Sequence, residues 1–362
     1  MTTINPETPC GARSRRLGPL GWGLLWVLGF LLVGGQSLYA CDYCNVFVGV
    51  LPNDRLSRVD LFYRYSHFQG WQNIPGGNQR IGYFKTNHGG HVGDAGYQQT
   101  DRETFHTLEL RGTFFATRWL SVMVGLPLQF ATESVGGTRT QKFSMGDMNT
   151  MLTFYPLWRE REKFSHRVGL MGGVKAPTGQ FRPGNQPDAN FFAYGGTGSW
   201  DFLLGAQYVF RYRKVGSSTV VTTKLNTPNR DGYQMDHGVN VQQHFFVNFS
   251  GLGKMANVSV VPGAGLYFEA SNGLFKGNEW QEGTGGRLLF AQAQLEVFYK
   301  RFGANVMLRM PVWQQLFGAQ MASGARLALG VNYSFALKKA TAKPRKAPRN
   351  PNPEAALPQP GT

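Results

Sequence analysis

The chain has 362 residues, enough for two or three soluble domains or one large barrel. Its mean hydropathy of -0.28 excludes a bundle of apolar membrane helices but not a barrel, whose strands turn every second residue toward water. The formal charge of +16 invites a nucleic-acid partner. However, the first forty residues hold three Arg and one Glu, and residues 338–362 hold six Lys or Arg and one Glu. That leaves +9 spread thinly over the body with no basic face, which excludes nucleic-acid binding.

The N-terminus reads as a signal peptide over residues 1–40. Arg13, Arg15 and Arg16 form a basic start, and Leu17 to Gly35 is an uncharged apolar run. Ser37-Leu38-Tyr39-Ala40 then offers a cleavage site before Cys41. A retained membrane anchor is the alternative, because the run is nearly long enough to span. Leu38-Tyr39-Ala40-Cys41 also resembles a bacterial lipobox, with Tyr39 where that motif prefers a small residue. Cys41 and Cys44 are therefore candidates for a disulfide or, at Cys41, for lipidation. Neither a redox fold nor two further zinc ligands surround them. Residues 41–57 form a periplasmic segment whose apolar run, Val46 to Leu51, is too short to span and is a candidate plug.

From Arg58 onward the dominant signal is alternation with period two. Val59, Leu61, Tyr63 and Tyr65 alternate with Asp60, Phe62, Arg64 and Ser66. Leu108 and Leu110 alternate with Glu109 and Arg111, and Trp200 to Phe210 alternate with Asp201 to Arg211. The pattern repeats at Leu289–Val297 and Leu327–Phe335. It predicts strands at Arg58–Phe68, Glu103–Thr117, Leu120–Ala131, Gly146–Tyr155, His166–Ala176 and Ser199–Arg211. Six more follow at Ser217–Asn226, Val239–Phe249, Ala256–Glu269, Arg287–Tyr299, Phe302–Val312 and Ala325–Phe335. About twelve strands, an even number, with odd connections long or polar and even ones short, describe an all-β fold. The expected form is a closed antiparallel up-and-down transmembrane β-barrel over residues 58–337. One face should suit lipid and the other should be polar. Both termini then lie on the periplasmic side, and the tail 338–362, rich in Lys, Arg and Pro, reads as disordered.

Three local patterns occur in a fixed order. Gly146-Asp147 opens a strand, Lys175-Ala176-Pro177-Thr178-Gly179 closes one, and Gly196-Thr197-Gly198-Ser199-Trp200-Asp201 opens the next. Their order resembles that in the outer-membrane transporter family named after the meta-pathway of phenol degradation. Cys41-Asp42-Tyr43-Cys44 after the signal is similar to a variant in barrel proteins of the Bacteroidetes type. The resemblance implies an outer-membrane, transporter-like barrel and fixes no ligand.

Alternation assigns the lumen-facing charges. These are Asp60, Arg64, Glu109, Arg111, Asp147, Arg167, Lys175, Asp201, Arg211, Lys224, Glu269, Glu296, Arg309 and Arg326. Both signs occur, which favours a salt-bridged network bracing the wall over a single-sign selectivity ring. His88 and His91, with His67 and His106 at the flanking strand ends, are candidate metal ligands. No Cys or carboxylate completes a recognised motif, so no metal and no cofactor are expected. His244 should face inward and is a candidate partner for a lumenal acid. Gly-x-Ser-x-Gly is absent, and Ser199 has no nearby histidine in sequence, so the chain is not read as an enzyme. The function expected is a pore or transporter-like barrel for small molecules, hydrophobic ones included. A barrel plugged by Cys41 to Asn53 is the alternative. Expected partners are outer-membrane lipid, the barrel-assembly machinery and a small-molecule ligand.

Overall fold

A computed structural model describes residues 56–73, 98–161, 163–181, 194–252, 255–281 and 283–336. The expected signal peptide, Cys41, Cys44, the His88–His91 loop and the basic tail lie outside the described residues. Every described regular element is a strand, in the order β1 (Ser57–Gln72), β2 (Arg102–Phe115), β3 (Leu120–Val135), β4 (Thr138–Met145), β5 (Met148–Glu160) and β6 (Phe164–Ala176). Next come β7 (Asp201–Tyr212), β8 (Val215–Asn226), β9 (Tyr233–Met235), β10 (Gly238–Val247), β11 (Phe249–Leu252) and β12 (Met255–Ser271). The chain ends with β13 (Leu274–Lys276), β14 (Glu279–Trp280), β15 (Gly286–Tyr299), β16 (Phe302–Leu316) and β17 (Gln320–Phe335).

The sheet closes on itself as an antiparallel barrel of twelve staves. β1 pairs with β17 from Ser57↔Phe335 to Gln72↔Gln320, so first and last staves meet and no edge is left. Two staves are interrupted. β4 and β5 share one, and β10 and β11 share another. The first break has a backbone cause at Pro127 on β3. Proline has no N–H to donate toward the β4–β5 stave, although pairing with β2 continues past it, and its carbonyl accepts the Gly146 N–H at 2.8 Å. Here the chain has no room for a side chain, since a Cβ on Gly146 would lie 2.7 Å from Pro127 Cγ.

Side-chain exposure follows the period-two reading. Leu61, Leu110, Leu152, Leu204, Leu266, Leu308 and Leu329 are all exposed, at 41–51 %. A continuous apolar exterior of this kind is tolerated in hydrocarbon and not in water. Trp119, Tyr212, Tyr299, Phe302 and Tyr333 are exposed near the rim that carries the strand termini Ser57 and Phe335, called here the terminal rim. They form the aromatic girdle expected at a membrane interface. Leu108, Leu204 and Leu329 are exposed, and Val247 is half-buried in the outward row that holds exposed Phe245.

Several expectations are corrected. The third and eleventh connections are not long. They are the two-residue turn Gly136-Gly137 and the three residues Phe317–Ala319. Around them, strands run well past the expected limits, so Thr138–Met145 is a strand and β17 starts at Gln320, not Ala325. Beyond the lipid band both faces of a strand meet water, so alternation fades while backbone pairing continues. A small sheet in the order β14-β13-β9 occupies two of the long connections and was not foreseen. The inner face is mixed, not simply polar. Phe62 packs with Met307 and Ala328, and Met151 with Met171, Leu203 and Val220.

The register carries a direct prediction. Leu204→Arg should destabilise the folded barrel in lipid vesicles by about 2–4 kcal/mol, because it sets a charge on the lipid face. Gln207→Arg, on the inward row of the same strand, should cost clearly less in the same urea-unfolding measurement. The reverse order of costs would mean that the faces are exchanged by a one-residue slip.

Candidate functional site

Twelve of the fourteen charges assigned to the lumen are buried: Asp60, Glu109, Arg111, Asp147, Arg167, Lys175, Asp201, Lys224, Glu269, Glu296, Arg309 and Arg326. Arg64 and Arg211 are half-buried. Contacts between non-adjacent strands place the inner row inside the barrel. Arg326 on β17 reaches past β16 and β15 to Glu269 on β12, donating twice, at 2.9 and 2.8 Å. Arg309 on β16 donates to Gln292 at 3.0 Å and to Gln242, on β10, at 3.4 Å.

These side chains sort into oppositely charged sets. Arg64 and Arg111 both donate to Glu109, at 2.8 and 2.6 Å. Arg58 approaches Asp60 at 3.1 Å. Lys175 bridges Asp147 and Asp201 at 2.7 and 2.6 Å, and Lys224 lies 3.2 Å from Asp201. Gln294 donates to Glu296. Arginine planes also cover inward aromatic rings, with Arg309 3.5 Å from the Tyr267 centroid and Arg326 4.1 Å from that of Phe290. Desolvating single charges would be prohibitive, so the paired arrangement is the condition under which so many ions can line one wall. A cavity of about 200 Å³ is bounded by Arg64, Glu109, Arg111, Asp147, Lys175, Lys224, Glu269 and Arg326, with Glu103, Gln129 and Met235.

The densest knot gathers the three sequence patterns noted above. Asp147 accepts from Lys175 Nζ, from the Gly179 and Thr197 N–H groups at 3.0 and 2.8 Å, and from Thr197 Oγ1 at 3.0 Å. Lys175 also donates to Thr197 Oγ1. Ser199 donates to Asp201 at 2.9 Å, and the Thr227 N–H reaches the same oxygen at 3.2 Å. Thr178 Oγ1 accepts the Met148 N–H at 2.8 Å. The glycines are there for close approach. A Cβ on Gly179 would sit 2.7 Å from both Gly146 C and Gly196 Cα. Asp147 is thus the acceptor on which the Lys175–Gly179 and Gly196–Asp201 segments converge.

The histidines fall elsewhere. His106 and His67 belong to outward rows. Tyr63 Oη lies 2.8 Å from His106 Nδ1, and His67 stacks on Tyr65. His244 points inward and is buried, but among the described residues it has no carboxylate partner. Among these residues neither ring nitrogen finds a hydrogen bond, and the ring stacks on Phe246. Among the described residues no group of three or more His, Cys, Asp or Glu could hold a metal. Arg58, Glu103, Thr197 and Ser199 join the inner wall without having been assigned to it. Carrying the alternation one step outward from Asp60, and on along the Glu109 row, would have found the first two.

No family model and no curated protein sequence matches the chain. Among solved structures, it is similar to an outer-membrane channel from Pseudomonas putida F1, at 15% identity and a TM-score of 0.58. That alignment covers 79% of this chain and 97% of the channel. The beta domain of the Bordetella autotransporter BrkA aligns at 9% identity and a TM-score of 0.44, over 78% of this chain and all of that one. The first likeness establishes the fold.

The Asp201 node can be tested. Asp201→Asn should leave two buried lysines without their shared carboxylate and cost roughly 3–5 kcal/mol of stability in lipid vesicles. Adding Lys224→Met should recover a measurable part of that loss, as a double-mutant cycle reads it. Strict additivity of the two substitutions would show that the pair is not coupled.

Proposed function

We propose that the chain is a channel of the bacterial outer membrane for small molecules, of the transporter family named after the meta-pathway of phenol degradation. One observation carries the reading. The three sequence patterns of that resemblance meet at Asp147, Lys175 and Asp201, and two of these residues bound the cavity inside the barrel. The likeness to the outer-membrane channel of Pseudomonas putida F1 supports it. The even-numbered turns, all short, share one rim with both barrel ends, Ser57 and Phe335, and we assign that rim to the periplasm, with the long first, fifth, seventh and ninth connections outside.

The wall chemistry favours neutral or weakly charged solutes. Charges on the cavity wall occur with both signs and are largely satisfied by one another, so neither sign of ion is held strongly. Apolar side chains on the cavity wall, such as Phe105, Met123, Leu203 and Met235, offer contact to a hydrophobic solute. A second reading, a barrel with a blocked lumen, is favoured by the depth of burial inside. Asp60, His244 and Phe290 are at most 1 % exposed.

Liposome swelling separates the two. Proteoliposomes of the mature barrel should swell in small neutral solutes, at rates that fall as solute size rises, and the reversal potential in a salt gradient should stay well short of the Nernst limit. Swelling no faster than in protein-free vesicles would overturn the channel and leave the blocked barrel.

A further inference from the structure

The short turns of the terminal rim repeat one arrangement, a cation seated on an outward-facing aromatic ring. Arg118 lies 4.7 Å from the Trp119 centroid, Arg161 5.4 Å from Phe164, Arg213 5.6 Å from Tyr212 and Lys300 5.1 Å from Tyr299. Arg301 also reaches the Tyr333 hydroxyl at 3.5 Å. These turns join β2 to β3, β5 to β6, β7 to β8 and β15 to β16, so they are spread round the circumference.

The charge follows the rim. In sequence, the even connections hold Arg118, Arg161, Lys163, Arg213, Lys214, Lys254, Lys300 and Arg301 against only Glu162. The odd connections hold Arg80, Lys85, Arg182, Arg230 and Lys276 against seven acids, Asp94, Asp101, Asp188, Asp231, Asp236, Glu279 and Glu282. A second observation is independent of the charge count. Arg213 and Lys300 have φ of 53° and 54°, a left-handed backbone that glycine or asparagine adopts more cheaply. Two of the four turns thus keep a cation at a cost in backbone conformation.

We propose that this rim is a collar for anionic phospholipid. Its Arg and Lys side chains bind the headgroup phosphates of the adjoining leaflet, while the rings beside them sit at headgroup depth. Lipid suits the pattern better than a protein partner does, because lipid surrounds a barrel on all sides and a protein would touch one arc. The inference rests on the membrane reading of the barrel but not on conduction, so a failed swelling assay leaves it standing.

The test uses the full barrel, purified into phosphatidylcholine bicelles and titrated with phosphatidylglycerol, with retained lipids counted by native mass spectrometry. The variant is Arg118→Gln, Arg161→Gln, Arg213→Gly and Lys300→Gly. Its two glycines relieve the left-handed turns, so folding should persist, as heat-modifiable migration on gels verifies. The wild type should retain phosphatidylglycerol over phosphatidylcholine by about tenfold or more at low salt, and less as salt rises. The variant should fall to near parity. A control lacking Arg139, Arg230, Lys276 and Arg287 on the opposite rim should keep the preference. Parity in the wild type would overturn the collar, and so would an undiminished preference in the folded variant. Stronger retention of lipopolysaccharide than of phosphatidylglycerol through the same four residues would also overturn it, assigning the rim to the other leaflet.

Discussion

Hydrocarbon offers no partner to a backbone N–H or C=O, and the rest of this structure depends on that fact. A sheet in lipid must satisfy every one of these groups within itself, so it has to close. Closure is the pairing of β1 with β17, where Ser57 meets Phe335 and Gln72 meets Gln320. Once the sheet is closed, each strand has one face toward lipid and one toward the interior. Where the ladder fails, at Pro127, the carbonyl is taken up by Gly146 and the stave continues as a second strand segment.

Closure then sets the terms for the inner wall. Its side chains are confined to a space enclosed by a low-dielectric shell, where an unpaired ion is costly. The wall meets this cost by sharing. Lys175 serves two carboxylates, Glu109 serves two arginines, and Glu269 takes both donors of one guanidinium fork. Such sets hold strands together and also tie the Lys175–Gly179 and Gly196–Asp201 segments to the cavity wall. Rigidity and a mixed-sign lining therefore come from the same contacts, which links the stability of the barrel to what it can admit.

The strands were legible because lipid and interior impose opposite demands on neighbouring residues. Leu203 and Leu204 show both what alternation reveals and what it hides. Parity gives their faces, but only packing shows that Leu203 belongs to an inner cluster with Met151, Met171 and Val220. Thr138–Met145 was illegible as a strand because it lies past the lipid band, where both faces tolerate polar side chains. The small sheet of β9, β13 and β14 gave no signal because two- and three-residue strands are shorter than any period can register. The motif order around Asp147, Lys175 and Asp201 was visible, but not that Asp147 would hold both of the other segments. That contact depends on glycines packing backbone against backbone, which no residue pattern encodes by itself. His244, a candidate partner for a lumenal acid, meets none among the described residues, since parity places a ring on a face without supplying a neighbour.

The central claim is that one strand divides lipid from interior residue by residue, and a spin-label scan along β7 from Phe202 to Phe210 tests it most directly. In lipid vesicles, oxygen accessibility should peak at positions 202, 204, 206, 208 and 210 and fall at 203, 205, 207 and 209. A scan with the phase reversed, or with no period of two, would contradict the register and the closed barrel built on it.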